Sequence, residues 1–356
     1  MLATDFVFQS RPARVVFGAG SLQQLERELQ TLGMQRPLLL CTPEQRGLAD
    51  VIAGTLGERV AGVFDGAVMH VPMEVVRNAR QYTQSVLADG MIAVGGGSTI
   101  GLAKALALDA GMPIIAIPTT YAGSEMTPIF GITEGQLKRT GTDPQVLPKV
   151  VIYDPQLTLT LPVNVSVVSG LNALAHAAEG LYARDANPIT SLMAEEAIAA
   201  LARGIPAVFG DGGDAGGRDA MLYGAWLAGT VLGNVGMALH HKLCHTLGGT
   251  FNLPHALTHA IMLPHALAYN AAAAPQAMRR IARALGADSA PLGVYELACR
   301  HGVPMALRDL GLETADLDRA AEIACANPYW NPRPIERDAI RSLLQDAFAG
   351  RPPAVV

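Results

Sequence analysis

The sequence changes character near residue 155, and this change constrains the fold more than any other feature. Before it, short apolar runs alternate with helical patterns, as in residues 37–42 followed by residues 46–56. Strands that alternate with helices through short loops form a parallel sheet that is covered on both faces. After it, only long Ala- and Leu-rich helical runs follow, broken by Gly and Pro. The pattern predicts an α/β domain over residues 1–155 and an all-helical domain over residues 156–356.

Local signals predict the elements of the first domain. Ser21 is expected to cap a helix that ends at Gly33, with Gln24 at the capping-box position. Strands are predicted as a pair within residues 1–20 and at residues 37–42, 61–64, 91–94 and 113–117, and helices at residues 46–56, 75–89 and 99–109.

Composition and charge narrow the class of protein. Hydrophobic residues make up 50% of the chain, charged residues make up 16%, and the net charge is −5. This profile fits a protein with much buried surface, and the lack of a basic cluster argues against a nucleic-acid partner. The four cysteines are far apart and form no CxxC pair, so we expect neither a disulfide framework nor a zinc knuckle. Two arginines interrupt the N-terminus where an export signal needs an apolar core, so a cytoplasmic location is expected.

One segment is long and apolar enough to be weighed as a membrane span. Residues 221–239 carry no charge, and their length is sufficient for a bilayer. Several glycines and an asparagine interrupt the segment, which leads directly into His240 and His241. We therefore expect a buried helix of the second domain and no membrane partner.

Two loops of small residues follow neighbouring strands of the predicted sheet. Residues 95–98 lie between a strand and a helix, where backbone N–H groups and the helix dipole favour a phosphate. Residues 118–125 follow the next strand, on the same carboxyl edge where open α/β sheets bind ligands. Together the loops predict a dinucleotide site. The residues expected to contact the cofactor are Gly95, Gly96, Gly97, Ser98, Thr119, Thr120 and Ser124.

Six of the nine histidines lie within residues 240–270. His241 and His245 are four residues apart, so on a helix their rings share one face. A break at Gly248 and Gly249 and a short loop through Asn252 and Pro254 are expected to lead from that helix into a second one. Further polar pairs with the same spacing are His255 with His259 and Asn172 with His176. Imidazoles held in this way either ligate a metal or carry out proton chemistry near neutral pH.

Five motifs, in this order, resemble the iron-containing alcohol dehydrogenase family. They are GGGS at 95–98, PTTYAGSE at 118–125, DPQLTLTLP at 154–162, GLNALAH at 170–176 and HHKLCHTLGGTFNLPH at 240–255. The resemblance covers nearly the whole chain. It implies a nucleotide-binding, Rossmann-like α/β domain followed by an all-α catalytic domain, the dehydroquinate synthase-like architecture.

The resemblance also suggests how the cofactor is held. Thr42 and Gln45, at the end of the second main strand, resemble the family's adenine-side contacts. No acidic residue ends that strand to bind the ribose hydroxyls firmly, so both NADH and NADPH are expected to serve.

Within the family, the runs GGGSTIGLAK at 95–104, PTTYAGSEMTP at 118–128, LPHALTH at 253–259 and NPYWNPRP at 327–334 resemble most those of the members that reduce maleylacetate. The metal-dependent dehydrogenases are similar at His176, His241 and His255, which are three of their metal ligands. Their fourth ligand is an aspartate at the position of Asn172. A neutral amide removes one negative charge and is a poor ligand for a divalent cation. We expect a site that does not require a divalent metal; if one is bound, the three histidines would hold it.

A histidine cluster without a metal suits the reaction that the resemblance implies. Hydride would add to the alkene carbon β to the ketone of maleylacetate, and negative charge would develop as an enolate. Imidazole donors can stabilise that enolate and protonate the adjacent carbon. The product would be 3-oxoadipate, in the degradation of aromatic compounds. The expected catalytic residues are His241, His245, His255 and His176, with either His245 or His241 as the proton donor.

The substrate implied by the resemblance is a small dicarboxylate, which needs cationic or dipolar anchors. Arg333 lies in an Asn-Pro-Arg-Pro run, where the prolines fix the backbone and can aim the guanidinium inward. Lys104 is a further candidate, whereas Lys242 and Arg139 fit a solvated surface better. The residues expected to contact the substrate are Tyr121, Asn172, His259 and Arg333.

Other interpretations stay open at this stage. A metal-dependent alcohol dehydrogenase keeps the fold and cofactor, and bound iron or zinc would identify it. A lyase of the dehydroquinate synthase type would need a basic sugar-phosphate site, and no Lys/Arg cluster accompanies the histidines. A protein that only binds nucleotides would not need so many histidines. The apolar composition, the N-terminal strands and the resemblance all favour a homodimer.

Overall fold

The fold is described from a computed structural model, for Phe6, Phe8, residues 14–135 and residues 137–354, with Leu137 and Lys138 described by their backbone only. Within this part of the chain, residues 14–161 form one compact unit and residues 162–354 belong to the other. Of the strand pair predicted within residues 1–20, only a strand at Arg14–Phe17 lies in the described residues.

The first unit is built on a parallel sheet. The strands described in it are β1 (Arg14–Phe17), β2 (Pro37–Leu40), β3 (Gly62–Phe64), β4 (Gly90–Gly95), β5 (Ile114–Pro118), β6 (Ile129–Glu134), β7 (Leu137–Thr142) and β8 (Val150–Tyr153). Six of them form one sheet in the order β1-β8-β5-β4-β2-β3, with every pairing parallel. Every residue of β2, β4, β5 and β8 is buried, as expected where helices cover both faces of a sheet. The predicted α/β class is confirmed.

Helices of the first unit follow the strands. They are α1 (Leu25–Thr31), α2 (Arg46–Leu56), α3 (Met73–Ser85) and α4 (Gly97–Ala110). The prediction for α2 is confirmed to the residue, whereas α4 begins two residues before the predicted start. We did not predict β8 or the antiparallel hairpin of β6 and β7. The hairpin is rich in Thr, Gly and charged residues and lacks the apolar run that marks a buried strand.

The first helical segment does not begin with the predicted capping box. No side chain caps the 3₁₀ turn that starts at Ser21. The Ser21 hydroxyl instead donates to the carbonyl oxygen of Tyr153 at 3.0 Å. The carboxylate of Asp154 accepts hydrogen bonds from the backbone N–H groups of Gly20 and Leu22, both at 3.1 Å. A residue from the end of β8 therefore satisfies the helix start, and no local pattern could show this.

The second unit is helical in the described residues. Its helices are α5 (Val163–Gly180), α6 (Pro188–Gly210), α7 (Ala215–Asn234), α8 (Leu239–Phe251), α9 (His255–Asn270), α10 (Pro275–Leu285), α11 (Ala290–Arg300), α12 (Asp316–Ala326) and α13 (Arg337–Ala349). Apolar side chains of α8, α9, α12 and α13 form a shared core. α5 and α8 both pack against α9, which brings the polar residues of the three helices together.

The apolar segment weighed as a membrane span lies mostly in α7. No single helix of the described residues is long and apolar enough to cross a membrane. α7 and α8 meet that test only as a pair, and they are bent by 96° at the break between them.

Candidate active site

Three helices bring six histidines of the second unit together. α5 carries Asn172 and His176, while α8 and α9 carry the histidines of residues 240–259. The predicted break at Gly248 and Gly249 is wrong, because α8 continues through both glycines. The helix ends at Phe251, and Asn252, whose backbone is left-handed (φ 55°), turns the chain into α9 within the predicted loop.

A hydrogen-bonded chain of three buried side chains lies at the centre of the cluster. The Nδ1 atom of His241 lies 2.6 Å from Oε2 of Glu179, and its Nε2 atom lies 2.8 Å from Nδ1 of His176. Oε1 of Glu179 accepts the backbone N–H of His240 at 2.7 Å. Glu179, His241 and His176 are 0%, 3% and 4% exposed, so water is largely excluded from these bonds. Both ring nitrogens of His241 are therefore engaged by protein groups.

A second pair of histidines packs beside this chain. The Nε2 atom of His240 lies 3.0 Å from Nδ1 of His259, and both rings are fully buried. The Sγ atom of Cys244 lies 3.7 Å from His240 Nε2. His259 Nε2 has no hydrogen-bond partner among the described residues. The ring of His255 lies 4.3 Å from that of His259, centroid to centroid, at the exposed start of α9.

His245 lies at the exposed edge of the cluster. Its Nδ1 atom is 3.0 Å from the hydroxyl oxygen of Tyr329, and its ring centroid is 6.0 Å from that of His241. Lys242 is half-buried, with Nζ 5.7 Å from the centre of the Tyr329 ring. His241 and His245 lie on one face of α8, as predicted. They differ in depth, because His241 is buried and His245 is exposed.

Burial sets the charge state of the cluster. Desolvation lowers the pKa of His241 to about 3, and it lowers the pKa values of His240 and His259 well below the ordinary range. Burial raises the pKa of the Glu179 carboxyl to about 7, against the hydrogen bonds that backbone groups of residues 238–241 make to the carboxylate. At neutral pH the rings of His240, His241 and His259 are therefore uncharged, and each has one N–H donor and one acceptor nitrogen.

Asn172 lies on α5, one turn before His176, and is 4% exposed. Its Oδ1 atom has no hydrogen-bond partner among the described residues. A buried amide oxygen without a partner loses about 1–3 kcal/mol of stability. Such an atom is open to a water, an ion or a ligand.

Arg333 lies at the other end of α9 from His255. Its guanidinium stacks 4.0 Å from the centre of the Tyr269 ring, and Nη1 donates to the Tyr269 carbonyl oxygen at 3.0 Å. The side-chain amides of Asn331 and Asn270 bond each other reciprocally, at 2.7 and 2.9 Å. These contacts fasten residues 331–334 to α9. A substrate contact by Arg333 stays a prediction.

The predicted cofactor loops lie side by side in the first unit. β4 and β5 pair so that Gly95 is opposite Pro118, and the Thr119 N–H donates to the Gly95 carbonyl oxygen at 3.1 Å. A Cβ atom on Gly96 would lie 2.9 Å from the Thr120 side chain, and Gly95 has a φ of 149°. Glycine is therefore required at this turn. No acidic residue lies in the first turn of α4, so nothing offsets the positive end of its dipole.

The other residues predicted in the first unit lie near the same edge of the sheet. Gly97 begins α4 and Ser98 is half-buried behind it, whereas Thr42 and Gln45 follow β2, the neighbour of β4. Tyr121 is fully buried within the first unit. The predicted roles of all these residues stay predictions.

Lys104 cannot serve as the substrate anchor that we considered. Its side chain is fully buried in α4, and Nζ lies 2.6 Å from the Ser124 carbonyl oxygen and 2.8 Å from that of Ile129. The hydroxyl oxygens of Thr127 and Ser124 complete the shell at 3.0 and 3.3 Å. An ammonium group has three donors, and four oxygen atoms of one loop already use them. Lys104 is therefore committed to holding residues 124–129.

Sequence reasoning did not identify Glu179 or Tyr329 as site residues. Glu179 follows His176 by three residues, as the only acid in an Ala-rich helix, and this isolation was a usable signal. Tyr329 stands in an Asn-Pro-Tyr-Trp run with no helical or strand pattern, and nothing local connects it to His245.

Two family comparisons cover most of the chain. Residues 12–155 match the iron-containing alcohol dehydrogenase family, and residues 166–348 match the C-terminal part of the Fe-containing alcohol dehydrogenase family.

Individual relatives match over their full length. A maleylacetate reductase of Burkholderia cepacia is 57% identical over 349 residues, which are 98% of this chain and 99% of the relative. The crystal structure of maleylacetate reductase from Agrobacterium tumefaciens superimposes with a TM-score of 0.95 at 53% identity and covers 98% of this chain and 100% of that one. A putative alcohol dehydrogenase from Ralstonia eutropha JMP134 gives a TM-score of 0.97 at 63% identity, with coverage of 99% and 100%.

Proposed function

Because this chain belongs to the iron-containing alcohol dehydrogenase family, we propose that it reduces the carbon–carbon double bond of maleylacetate to give 3-oxoadipate, a step in the degradation of aromatic compounds. NADH or NADPH serves as the reductant. Full-length similarity to maleylacetate reductases supports this substrate. The observation that carries the chemistry is the buried Glu179–His241–His176 chain, a set of proton donors and acceptors in the helical unit.

The edge of the sheet fits a dinucleotide. The glycine turn of residues 95–97 leaves room for a phosphate where a Cβ atom would collide with Thr120. The N-terminus of α4 offers backbone N–H donors to the same group. Thr119, Ser124, Thr42 and Gln45 complete the proposed contacts. When bound, the nicotinamide supplies the hydride that adds to the alkene carbon β to the ketone.

The histidine cluster does not fit a divalent cation held in the family's manner. Nδ1 of His241 lies 2.6 Å from Glu179 and its Nε2 atom lies 2.8 Å from Nδ1 of His176, so a metal bound by His241 would have to displace His176 from that nitrogen. Asn172 offers a neutral amide oxygen where the metal-dependent members have a carboxylate. We propose that the reaction needs no metal.

The residues of the cluster provide the proton chemistry. Hydride addition at the β carbon leaves an enolate, whose oxygen needs hydrogen-bond donors and whose α carbon needs one proton. His176 and His241 form one donor path, and His245 with Tyr329 forms a second, more exposed path to solvent. Exclusion of water strengthens the buried hydrogen bonds. We propose that the buried path stabilises the enolate oxygen and that His245 delivers the proton.

A dicarboxylate substrate needs neutral dipoles as well as cations. We assign Nε2 of His259, a buried atom without a partner among the described residues, and the side-chain NH₂ group of Asn172 to substrate binding in the helical unit. We also propose substrate contacts for Arg333 and Tyr121. Ketone and carboxyl oxygens accept hydrogen bonds, so His259 is suited to this role as a donor.

The proposed reaction is tested by product analysis. Purified protein is incubated with maleylacetate and NADH or NADPH, and the products are separated by chromatography. We expect consumption of one reduced nicotinamide per molecule of 3-oxoadipate. Oxidation of simple alcohols in place of this reaction, dependent on added iron or zinc, would assign the chain to the metal-dependent dehydrogenases.

We also propose a cytoplasmic homodimer. The cysteines are unpaired, which suits a reducing compartment, and the chain is 50% hydrophobic. Light scattering coupled to size-exclusion chromatography tests the dimer: a mass of one 37.3 kDa chain would contradict it.

A further inference from the structure

Lys242 is the only lysine of the sequence after residue 149, and it lies in α8, directly after His241. The sequence favours a solvated surface for this residue, but the structure places it half-buried. A lysine usually keeps its charged end in water while its carbon stem packs against the protein. Withdrawing part of an ammonium group from water costs free energy, which a compensating partner has to offset.

An aromatic ring provides one such contact. Nζ of Lys242 lies 5.7 Å from the centre of the Tyr329 ring, within the distance at which the face of a ring attracts a cation. The hydroxyl oxygen of the same tyrosine lies 3.0 Å from Nδ1 of His245. Tyr329 therefore links the ammonium group of Lys242 to the exposed edge of the cluster, where we assign proton delivery to His245.

No counter-ion accompanies this cation within the described part of the chain. No carboxylate there forms an ion pair with Lys242, and no oxygen atom accepts a hydrogen bond from its Nζ atom. Glu179, the carboxylate of the cluster, faces the backbone N–H of His240 and Nδ1 of His241 instead. Cys325 also acts on Lys242, but burial raises the pKa of its thiol, so it carries no charge at neutral pH.

The ammonium group of Lys242 can donate three hydrogen bonds and accept none. The face of one ring engages it on one side only, so N–H donors are left for an anion. We assign the phosphates of the dinucleotide to the glycine turn of the first unit, so they are not that anion. The substrate assigned to the histidine cluster carries two carboxylates, and a charge-assisted hydrogen bond to a carboxylate is roughly twice as strong as a neutral one.

We propose that Lys242 determines specificity for a dicarboxylate: its ammonium group binds one carboxylate of the substrate at the edge of the histidine cluster, where the Tyr329 ring holds it. This inference rests on the proposed function for the identity of the substrate. Neither the hydride nor the proton passes through Lys242. The bound carboxylate keeps its charge throughout the reduction, so the contact stabilises the bound substrate and the transition state equally and acts on KM rather than on kcat.

Lys242→Met tests the charge, because methionine keeps an unbranched apolar stem against the Tyr329 ring. The first readout is the binding of adipate, a six-carbon dicarboxylate without the reacting alkene and ketone, measured by titration calorimetry with and without NADH. Lys242→Met should weaken adipate binding by roughly 10- to 100-fold, the scale of one hydrogen bond to a charged group. Lys242→Arg keeps the charge and should retain most of the affinity. With maleylacetate, KM should rise by the same factor in Lys242→Met, while kcat changes by less than about 3-fold.

Arg319→Met is the matched control. Arg319 also lies in the helical unit with its charge over an aromatic ring, 6.0 Å from the centre of that of Phe251, but it is exposed. Its substitution should change neither adipate binding nor KM, and melting curves check that every variant folds.

Two results would overturn the inference: adipate binding in Lys242→Met as tight as in the unsubstituted protein, or no adipate binding by the unsubstituted protein. A fall in kcat at unchanged KM would also overturn it, because Lys242 would then act on the chemistry rather than on binding. If the unsubstituted protein reduces no maleylacetate, the proposed function fails, whereas adipate binding that depends on Lys242 would still support a carboxylate site at this residue.

Discussion

Lys104 in the first unit and His241 in the second are both buried ionisable side chains, yet their surroundings differ. Four oxygen atoms of one short loop surround the Lys104 ammonium, so its donors are used within the fold. His241 instead belongs to a cluster in which Asn172 Oδ1 and His259 Nε2 lack partners among the described residues. A saturated buried network has no polar atom left for a ligand, whereas an unsaturated one is open to a water, an ion or a ligand. Burial alone therefore does not distinguish a catalytic group from a structural one.

The largest expected effect comes from His241→Gln, which interrupts the chain between Glu179 and His176. We expect kcat for maleylacetate to fall by ~10²- to 10⁴-fold, the usual contribution of a positioned proton-transfer group. Steady-state kinetics measure this, and a melting curve checks that the protein folds. His265→Gln is the matched control, because His265 is 3% exposed but lies outside the cluster. Equal losses of kcat in both variants would show that a buried histidine of the cluster matters no more for turnover than one outside it.

A loss of stability is expected from Lys104→Met. The substitution leaves four loop oxygens without their common donor, and we expect the first unit to lose about 3 kcal/mol of unfolding free energy. The loop also carries Ser124, so KM for NADH should rise, whereas kcat should change less than in His241→Gln. Lys149→Met, at an exposed lysine, should leave stability and KM unchanged. Unchanged stability in Lys104→Met would mean that the network is not structural.

Stability should depend on pH through His265. Burial lowers its pKa to about 4 from an ordinary value of 6.5, with Asp346 acting in the opposite direction. A buried neutral base binds fewer protons than the unfolded chain between these two values, so its contribution to stability is full above pH 6.5 and is lost as the pH falls towards 4. Between about pH 7 and pH 4.5, the free energy of unfolding of His265→Gln should fall by about 2 kcal/mol less than that of the unsubstituted protein.

Urea unfolding at the two pH values measures this difference. Both tryptophans, Trp226 and Trp330, belong to the helical unit, so their fluorescence reports on the unit that contains His265. Identical losses in the two proteins would show that His265 is not held neutral by the fold.

The smallest effect expected on turnover comes from Asn172→Asp, which adds the carboxylate that the metal-dependent members of the family carry. A negative charge one turn from His176 competes with Glu179 for the histidine protons, and we expect kcat to fall by about 10-fold. Zinc content after equilibration should rise towards one ion per chain, as measured by mass spectrometry. Asn234→Asp, outside the cluster, should bind no additional zinc. Zinc binding by the unsubstituted protein at the same level would show that the neutral amide of Asn172 does not prevent metal binding.

Sequence patterns predicted what depends on local periodicity. The bounds of α2 and the buried strands β2, β4 and β5 followed from apolar runs and their spacing, whereas the buried strand β8 was missed, and the motifs indicated the family. Contacts between distant residues could not be predicted in this way. Glu179 bonds a histidine 62 residues away, and Tyr329 bonds one 84 residues away. Helical spacing placed His241 and His245 on one face, but it could not show that only His241 is buried, because depth depends on the helices that pack over the face.

The most direct test of the account is turnover of maleylacetate by metal-free protein. The protein is exhaustively chelated, its iron and zinc are assayed, and NADH oxidation is followed with and without added metal. We predict that turnover persists at the same rate in metal-free protein and that zinc or iron does not increase it. Activity that disappears with the metal and returns with zinc or iron would contradict the account, since a cation would then do the work assigned to the Glu179–His241–His176 chain.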